Sequence, residues 1–169
     1  MKNKKSPHLK IYIGSDHAGF KIKEKIVPWL KSMGYEVFDC GAFLYDEYDD
    51  YPDFITPVAK AVSLNPENVK GIIFGGSGQG EAMVANRFPN VRAIVYYGDP
   101  FSSFKDIVKL GREHNNSNII SFGTRFVGLS ATKIAIEKWL RTPFSWSDRH
   151  IRRIKKLERV SKEVKNMPN

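Results

Sequence analysis

The chain has a single cysteine, Cys40, among 169 residues. No internal disulfide can form, and chemistry that needs several thiols is excluded. No run is long and apolar enough to read as a membrane span. Residues 1–10 are basic but lack the apolar core of a secretory signal, so the cytoplasm is the expected location. Histidine is scarce, with four residues, and His17, His114 and Asp16 do not form a metal-ligand spacing. No metal and no cofactor are expected. Internal repeats, low-complexity segments and linkers are also missing.

The chain does carry charge, a formal +9 at neutral pH. Such an excess points first to nucleic acid or an anionic surface, but its distribution argues otherwise. Residues 1–10 hold four lysines and no acid, and from Arg149 onward eight basic residues face two acidic ones. The body between them holds 15 basic and 16 acidic groups and is close to neutral. The two ends read as solvated tails, with an anion site near Arg149 as the sharper alternative.

Short β-like runs alternate with amphipathic helical stretches. Leu9–Ile13, Tyr35–Phe38, Val69–Phe74, Val91–Tyr96 and Ile119–Phe122 read as strands. Helices are expected over Phe20–Met33, from Pro52-Asp53 to Leu64, over Glu81–Arg87, from Asp99-Pro100 to Arg112 and over Gly128–Leu140. A last amphipathic helix carries Ile151, Ile154, Leu157 and Val164. Pro28 makes a kink or early break of the first helix an open question. The alternation predicts an α/β fold, a three-layer sandwich around a five-stranded, mainly parallel sheet. Residues 1–8 read as a tail, 9–148 as one domain and 149–169 as a C-terminal helix with a basic end. Ligands of such sheets bind at the carboxyl ends of the strands, so the loops there carry the chemistry.

Gly75-Gly76-Ser77-Gly78-Gln79-Gly80 precedes a helix, and its backbone N–H groups can hold a phosphate or a developing oxyanion. It lacks the spacing of the dinucleotide fingerprint, the terminal Gly-Lys-Ser/Thr of a P-loop and the Gly-x-Ser-x-Gly elbow of hydrolases. Glu81, in the first turn of the helix, reads either as a carboxylate placed for the helix dipole or as a general base held ionised there. Asp16-His17 reads as a cap with a surface histidine or as a polar clamp. His114 reads as a loop histidine or as a proton shuttle. Arg125, Arg149 and Arg153 are candidate phosphate forks or parts of a solvated face.

Six ordered motifs lie between about Ile11 and Arg153. They are Gly14-Ser15-Asp16-His17-Ala18-Gly19, Tyr51-Pro52-Asp53, Gly76-Ser77-Gly78-Gln79-Gly80, Ala85-Asn86-Arg87, Arg112-Glu113-His114-Asn115 and Arg149-His150. Together they resemble B-type ribose-5-phosphate isomerase, a family that includes galactose- and allose-6-phosphate isomerases. The resemblance implies a Rossmann-like sandwich and a homodimer, or a tetramer, with active sites between subunits. It implies a sugar phosphate substrate and proton transfer between C1 and C2 through an enediolate. Many members place a catalytic Cys where this chain has Gly75. A second subgroup has Gly there and Glu after the loop, and this chain resembles that subgroup, with Glu81 as base and Ser77 assisting. Carried over by position, His114 opens the furanose ring and Asp16 accepts from sugar hydroxyls. Asn115 and the amides at Gly76, Gly78 and Gly80 stabilise the oxyanion. Tyr51 lines the sugar pocket. His17, Arg125, Arg149 and Arg153 hold the phosphate, some from the partner subunit, on which the C-terminal helix packs.

Three departures bear on substrate size and subunit contacts. Residues 42–50 form a longer, more acidic loop than expected, Ser145-Trp146-Ser147-Asp148 stands where glycines are common, and the basic tail is extended. A five-carbon and a six-carbon sugar phosphate are both compatible with the motifs. The rival of another class is a noncatalytic sugar-phosphate or nucleic-acid binding protein using the basic tail; nucleic acid is not the expected partner.

Overall fold

The computed structural model describes residues 9–98 and 106–165. Five strands, β1 (Lys10–Ser15), β2 (Glu36–Asp39), β3 (Val69–Gly75), β4 (Ala93–Tyr96) and β5 (Ile119–Gly123), form one parallel sheet in the order β2-β1-β3-β5-β4. Six helices accompany them: α1 (His17–Ser32), α2 (Tyr51–Leu64), α3 (Gln79–Ala85), α4 (Ile107–Asn115), α5 (Leu129–Arg141) and α6 (Asp148–Lys165).

Successive strand residues feed opposite layers, as the period of two requires. Ile72 and Phe74, with Ile11, Ile13, Ile120 and Phe122, pack against Ile26 and Leu30 of α1, Val108 of α4, and Ile136 and Trp139 of α5. Val69, Ile73 and Ile119 pack against Ile55, Val58, Ala59 and Val62 of α2 and Ala85 of α3. This is the expected three-layer sandwich. The apolar runs of β3 and β5 are continuous because both faces are covered. Trp139 is fully buried and donates its Nε1–H to Ser117 Oγ at 2.8 Å. Lys23 is fully buried too; its ammonium lies 2.6 Å from Asp39 Oδ2 and 3.1 Å from Glu24 Oε1.

Several boundaries differ from expectation for identifiable reasons. α1 starts at His17 rather than Phe20, because the Asp16 carboxylate accepts the Gly19 N–H at 3.1 Å and caps the helix. Pro28 does not break α1; burial of Ile26 and Leu30 outweighs the lost backbone bond. α3 begins at Gln79, two residues early, because Gly78 turns the chain with φ of 73°, a left-handed conformation natural to glycine. α4 is described from Ile107, where Asp106 accepts from the N–H groups of Val108 and Lys109 at 3.1 Å each, and it extends beyond Arg112 to Asn115. The expected tail 1–8, the expected helix start at Asp99-Pro100 and the Val164 side chain lie outside the described residues.

The register aligns the carboxyl ends of the three central strands. Ser15 stands level with Phe74, and Gly75 with Gly123. The amino ends form the opposite edge, where Lys10 N–H donates to Asn68 O and Asn118 N–H to Arg92 O. α6 meets its own chain at that opposite edge, where Arg92 lies 3.7 Å from Glu158. Leu157 and Val160 of α6 are each 53% exposed.

Candidate active site at the carboxyl edge of the sheet

β3 ends in Gly75, and the turn through Gly78 brings α3 back so that Glu81 sits over the strand end. Glu81 is only 4% exposed. Its carboxylate occupies the space beside the Gly75 Cα. A Cβ added at Gly75 would lie 1.7 Å from Glu81 Oε1 and 2.0 Å from its Cδ. A side chain at position 75 and this carboxylate therefore compete for one volume. Burial holds the Glu81 carboxyl above its ordinary 4.5, opposed by its own backbone N–H and reinforced by the charge of Asp16. Desolvation thus outweighs the first-turn position in setting the direction of the shift.

Asp16, at the end of β1, is buried as well. Burial raises its carboxyl, against the lowering effect of the Gly19 N–H and His17. The cap reading of Asp16 is realised, and the capping carboxylate also acts electrostatically on Glu81. Ser77 is exposed, and its hydroxyl accepts from Gln79 N–H at 3.3 Å. Tyr51, the first residue of α2, lays its phenol against Gly80, where an added Cβ would be 2.7 Å from Cζ. Arg125, after β5, donates its backbone N–H to Gly76 O at 3.2 Å and stacks its guanidinium over Gly76. His17 and Arg125 line one cleft of about 430 Å³ together with Lys21, Tyr45 and Thr124. Asp16, His17, Tyr51, Gly76, Ser77, Gly78, Gly80, Glu81 and Arg125 thus gather at one edge. The edge carries a buried carboxylate and a cleft lined by His17, Lys21 and Arg125.

The remaining four sequence candidates are not at this edge. His114 and Asn115 end α4 and lead into the amino end of β5, not into a loop at the carboxyl edge. β5 alone, five residues or about 16 Å of extended chain, separates the two edges. His114 packs its ring against that of His150, centroids 4.3 Å apart and planes tilted by 37°, and His150 Nδ1 lies 2.7 Å from Ser145 Oγ. Burial and the neighbouring His114, Arg149 and Arg153 hold the His150 pKa below 6.5. Asn115 and Arg153 line a second cleft, about 460 Å³, with Asn86, Arg92, Ile94 and Leu157. Residue spacing places each group on its element but does not say which end of a strand a helix terminus reaches.

One residue escaped sequence reading. Asp49, in the loop before α2, places its carboxylate on His17; Oδ1 accepts from the His17 backbone N–H at 3.0 Å and lies 2.6 Å from His17 Nδ1. Asp16, His17 and Asp49 each bring a potential ligand atom within 4.8 Å of the others. The His17 Nδ1 is engaged by Asp49 in this arrangement. Cys40 is half-buried after β2, and burial pushes its thiol up to about 11, away from the thiolate form. Among the described residues, no helix is long and apolar enough to cross a membrane.

A doubly wound α/β sheet with its chemistry at the carboxyl edge is the frame of an enzyme or binder of small anionic ligands. Comparison narrows this: the chain belongs to the Ribose/Galactose Isomerase family, whose model matches residues 11–157. Ribose-5-phosphate isomerase B of Mycolicibacterium paratuberculosis is 38% identical over 146 residues, covering 86% of this chain and 87% of that protein. The Escherichia coli protein of the same name is 36% identical over 151 residues, covering 89% and 95%. The Mycoplasma genitalium ribose-5-phosphate isomerase B solved with bound ribulose 5-phosphate superposes with a TM-score of 0.84 at 35% identity, covering 92% of this chain and 97% of that one.

Proposed function

We propose that the chain is an aldose–ketose isomerase converting ribose 5-phosphate to ribulose 5-phosphate, with Glu81 as the base. The observation that carries this is the Glu81 carboxylate, buried against Gly75 at the carboxyl edge and shifted toward proton affinity by desolvation. Membership of the family and the names of its relatives support the five-carbon substrate.

Removal of the C2 proton leaves an enediolate, so the site needs a base and a partner for the new negative charge. Glu81 takes the proton from C2 and returns it to C1. Ser77, open to the cleft, assists at the sugar oxygens. The backbone amides at Gly76, Gly78 and Gly80 face the developing oxyanion, and Asp16 accepts from a sugar hydroxyl. Tyr51 bounds the sugar, and His17 with Arg125 holds the phosphate. The carbon-bound proton passes from C2 to C1 through Glu81 and the hydroxyl proton passes from O2 to O1 beside Ser77, so C1 is reduced as C2 is oxidised within the substrate and no external oxidant or reductant is needed.

His114, Asn115, Arg149 and Arg153 complete the same site from a second subunit. Their position at the far edge of their own chain, next to outward-facing Leu157 and Val160, supports a homodimer in which α6 packs on the partner. There His114 opens the furanose ring, Asn115 steadies the oxyanion and the two arginines add to the phosphate clamp. The enzyme acts in the cytoplasm. The test is a coupled assay on ribose, allose and galactose phosphates, with expected turnover on ribose 5-phosphate. Turnover on none of them contradicts the isomerase reading.

A further inference from the structure

We infer that Asp49 is a positioning residue for the phosphate clamp, holding His17 by Nδ1 so that Nε2 is presented as a donor to a phosphate monoester. The inference rests on the reading above that His17 contacts the phosphate. Its own observations are separate. One carboxylate oxygen of Asp49 takes both the backbone N–H of His17, at 3.0 Å, and the ring Nδ1, at 2.6 Å. Two contacts to one residue fix the ring orientation and hold a proton on Nδ1, so that in the imidazolium form the Nε2–H is left to donate to a ligand. The Asp49 side chain is only 8% exposed, and its second oxygen, Oδ2, is buried without a hydrogen-bond partner among the described residues. An isolated buried carboxylate is costly, and an imidazolium beside it offsets that cost.

The charged surroundings of His17 come from several elements. Asp16 and Asp49 favour the imidazolium, whereas Arg125 opposes it, and Lys21 of α1 lines the same cleft. The ring edge meets Tyr45, centroids 6.4 Å apart, and Tyr45 also meets Phe20 at 6.3 Å. The loop that carries Asp49 is thereby docked on α1. The hydrogen bond that His17 donates to Asp49 is the largest influence on its ring and raises its pKa above 6.5, against partial desolvation. The imidazolium therefore persists to higher pH than a free histidine, and a dianionic phosphate meets a doubly protonated ring.

The test combines kinetics with the His17 ring titration by NMR, with and without inorganic phosphate, in the full chain. In Asp49→Asn the acceptor stays and the charge goes. Expected are a lower His17 pKa, a KM raised about tenfold, as for lost partners that orient a ligand group, a kcat changed far less, and a rise of KM with pH that begins at lower pH. Asp49→Glu, which restores the charge, recovers part of the wild-type titration. An unchanged His17 titration in Asp49→Asn overturns the inference, and so does an unchanged KM when His17→Ala raises it. Wild-type KM in His17→Ala removes His17 from the phosphate site, which overturns the parent reading and this one together.

Discussion

Gly75→Ala is the substitution with the largest expected effect for its size. Gly75 lies outside the left-handed backbone region, so alanine imposes no strain there. The new methyl would stand 1.7 Å from Glu81 Oε1, whereas ordinary contact begins at 3.4 Å. The carboxylate must withdraw by about 1.7 Å, and Glu81 can do so by rotating its side chain. A misplacement of about 1 Å costs on the order of 100-fold in rate for a positioned group, so kcat should fall at least that far. KM should change little, because the cations of the cleft lie elsewhere. The assay is steady-state isomerisation of ribose 5-phosphate, with a thermal melt to show that the fold survives. A kcat within threefold of wild type, in a folded protein, would refute the placement of Glu81 at the reacting carbon.

Other perturbations reach different parts of the account. The acid limb of kcat/KM reports Glu81: because burial raises its pKa above 4.5, activity should fall on acidification at a pH above that of a free glutamate. That limb should be absent from the residual rate of Glu81→Gln. For stability the sign runs the other way. A carboxyl raised in the fold costs stability once ionised, so Glu81→Gln should melt no lower than wild type at neutral pH and gain nothing below the unfolded pKa. Asp39→Ala takes away the nearer partner of the fully buried Lys23 ammonium, 2.6 Å away, leaving only Glu24 at 3.1 Å, and should cost about 2 kcal/mol in denaturant unfolding. Refolding a mixture of Glu81→Gln and Arg153→Ala chains should restore about a quarter of wild-type activity, because half the dimers are hybrids with one intact site; activity no greater than that of either parent would contradict a shared site.

Much of the fold was legible because it depends on local pattern. The apolar runs at Val69–Phe74 and Ile119–Phe122, separated by helical periods, specify a parallel sheet covered on both faces. Glu81 and Asp16 were legible because they sit in glycine-bearing loops that follow strands. The start of α1 was missed because the Asp16 cap acts through a side chain that could equally serve a ligand. Asp49 was not legible: its partner His17 is 32 residues away, and an acidic loop gives no sign of which carboxylate turns inward. His114 and Asn115 were placed with the other site residues by family likeness, yet their own chain carries them to the opposite edge. Only the tertiary arrangement shows that their own chain does not bring them to the carboxyl edge.

The most direct test of Glu81 as the base is proton exchange followed by NMR in heavy water. With wild-type protein and ribose 5-phosphate, deuterium should enter the product at C1, since a carboxylate that has taken the C2 proton exchanges with solvent. In Glu81→Gln, incorporation and isomerisation should both fall by on the order of 1,000-fold, while ribose 5-phosphate still protects the protein in a thermal shift. Isomerisation with deuterium incorporation at the wild-type rate in Glu81→Gln would assign the proton transfer to another group.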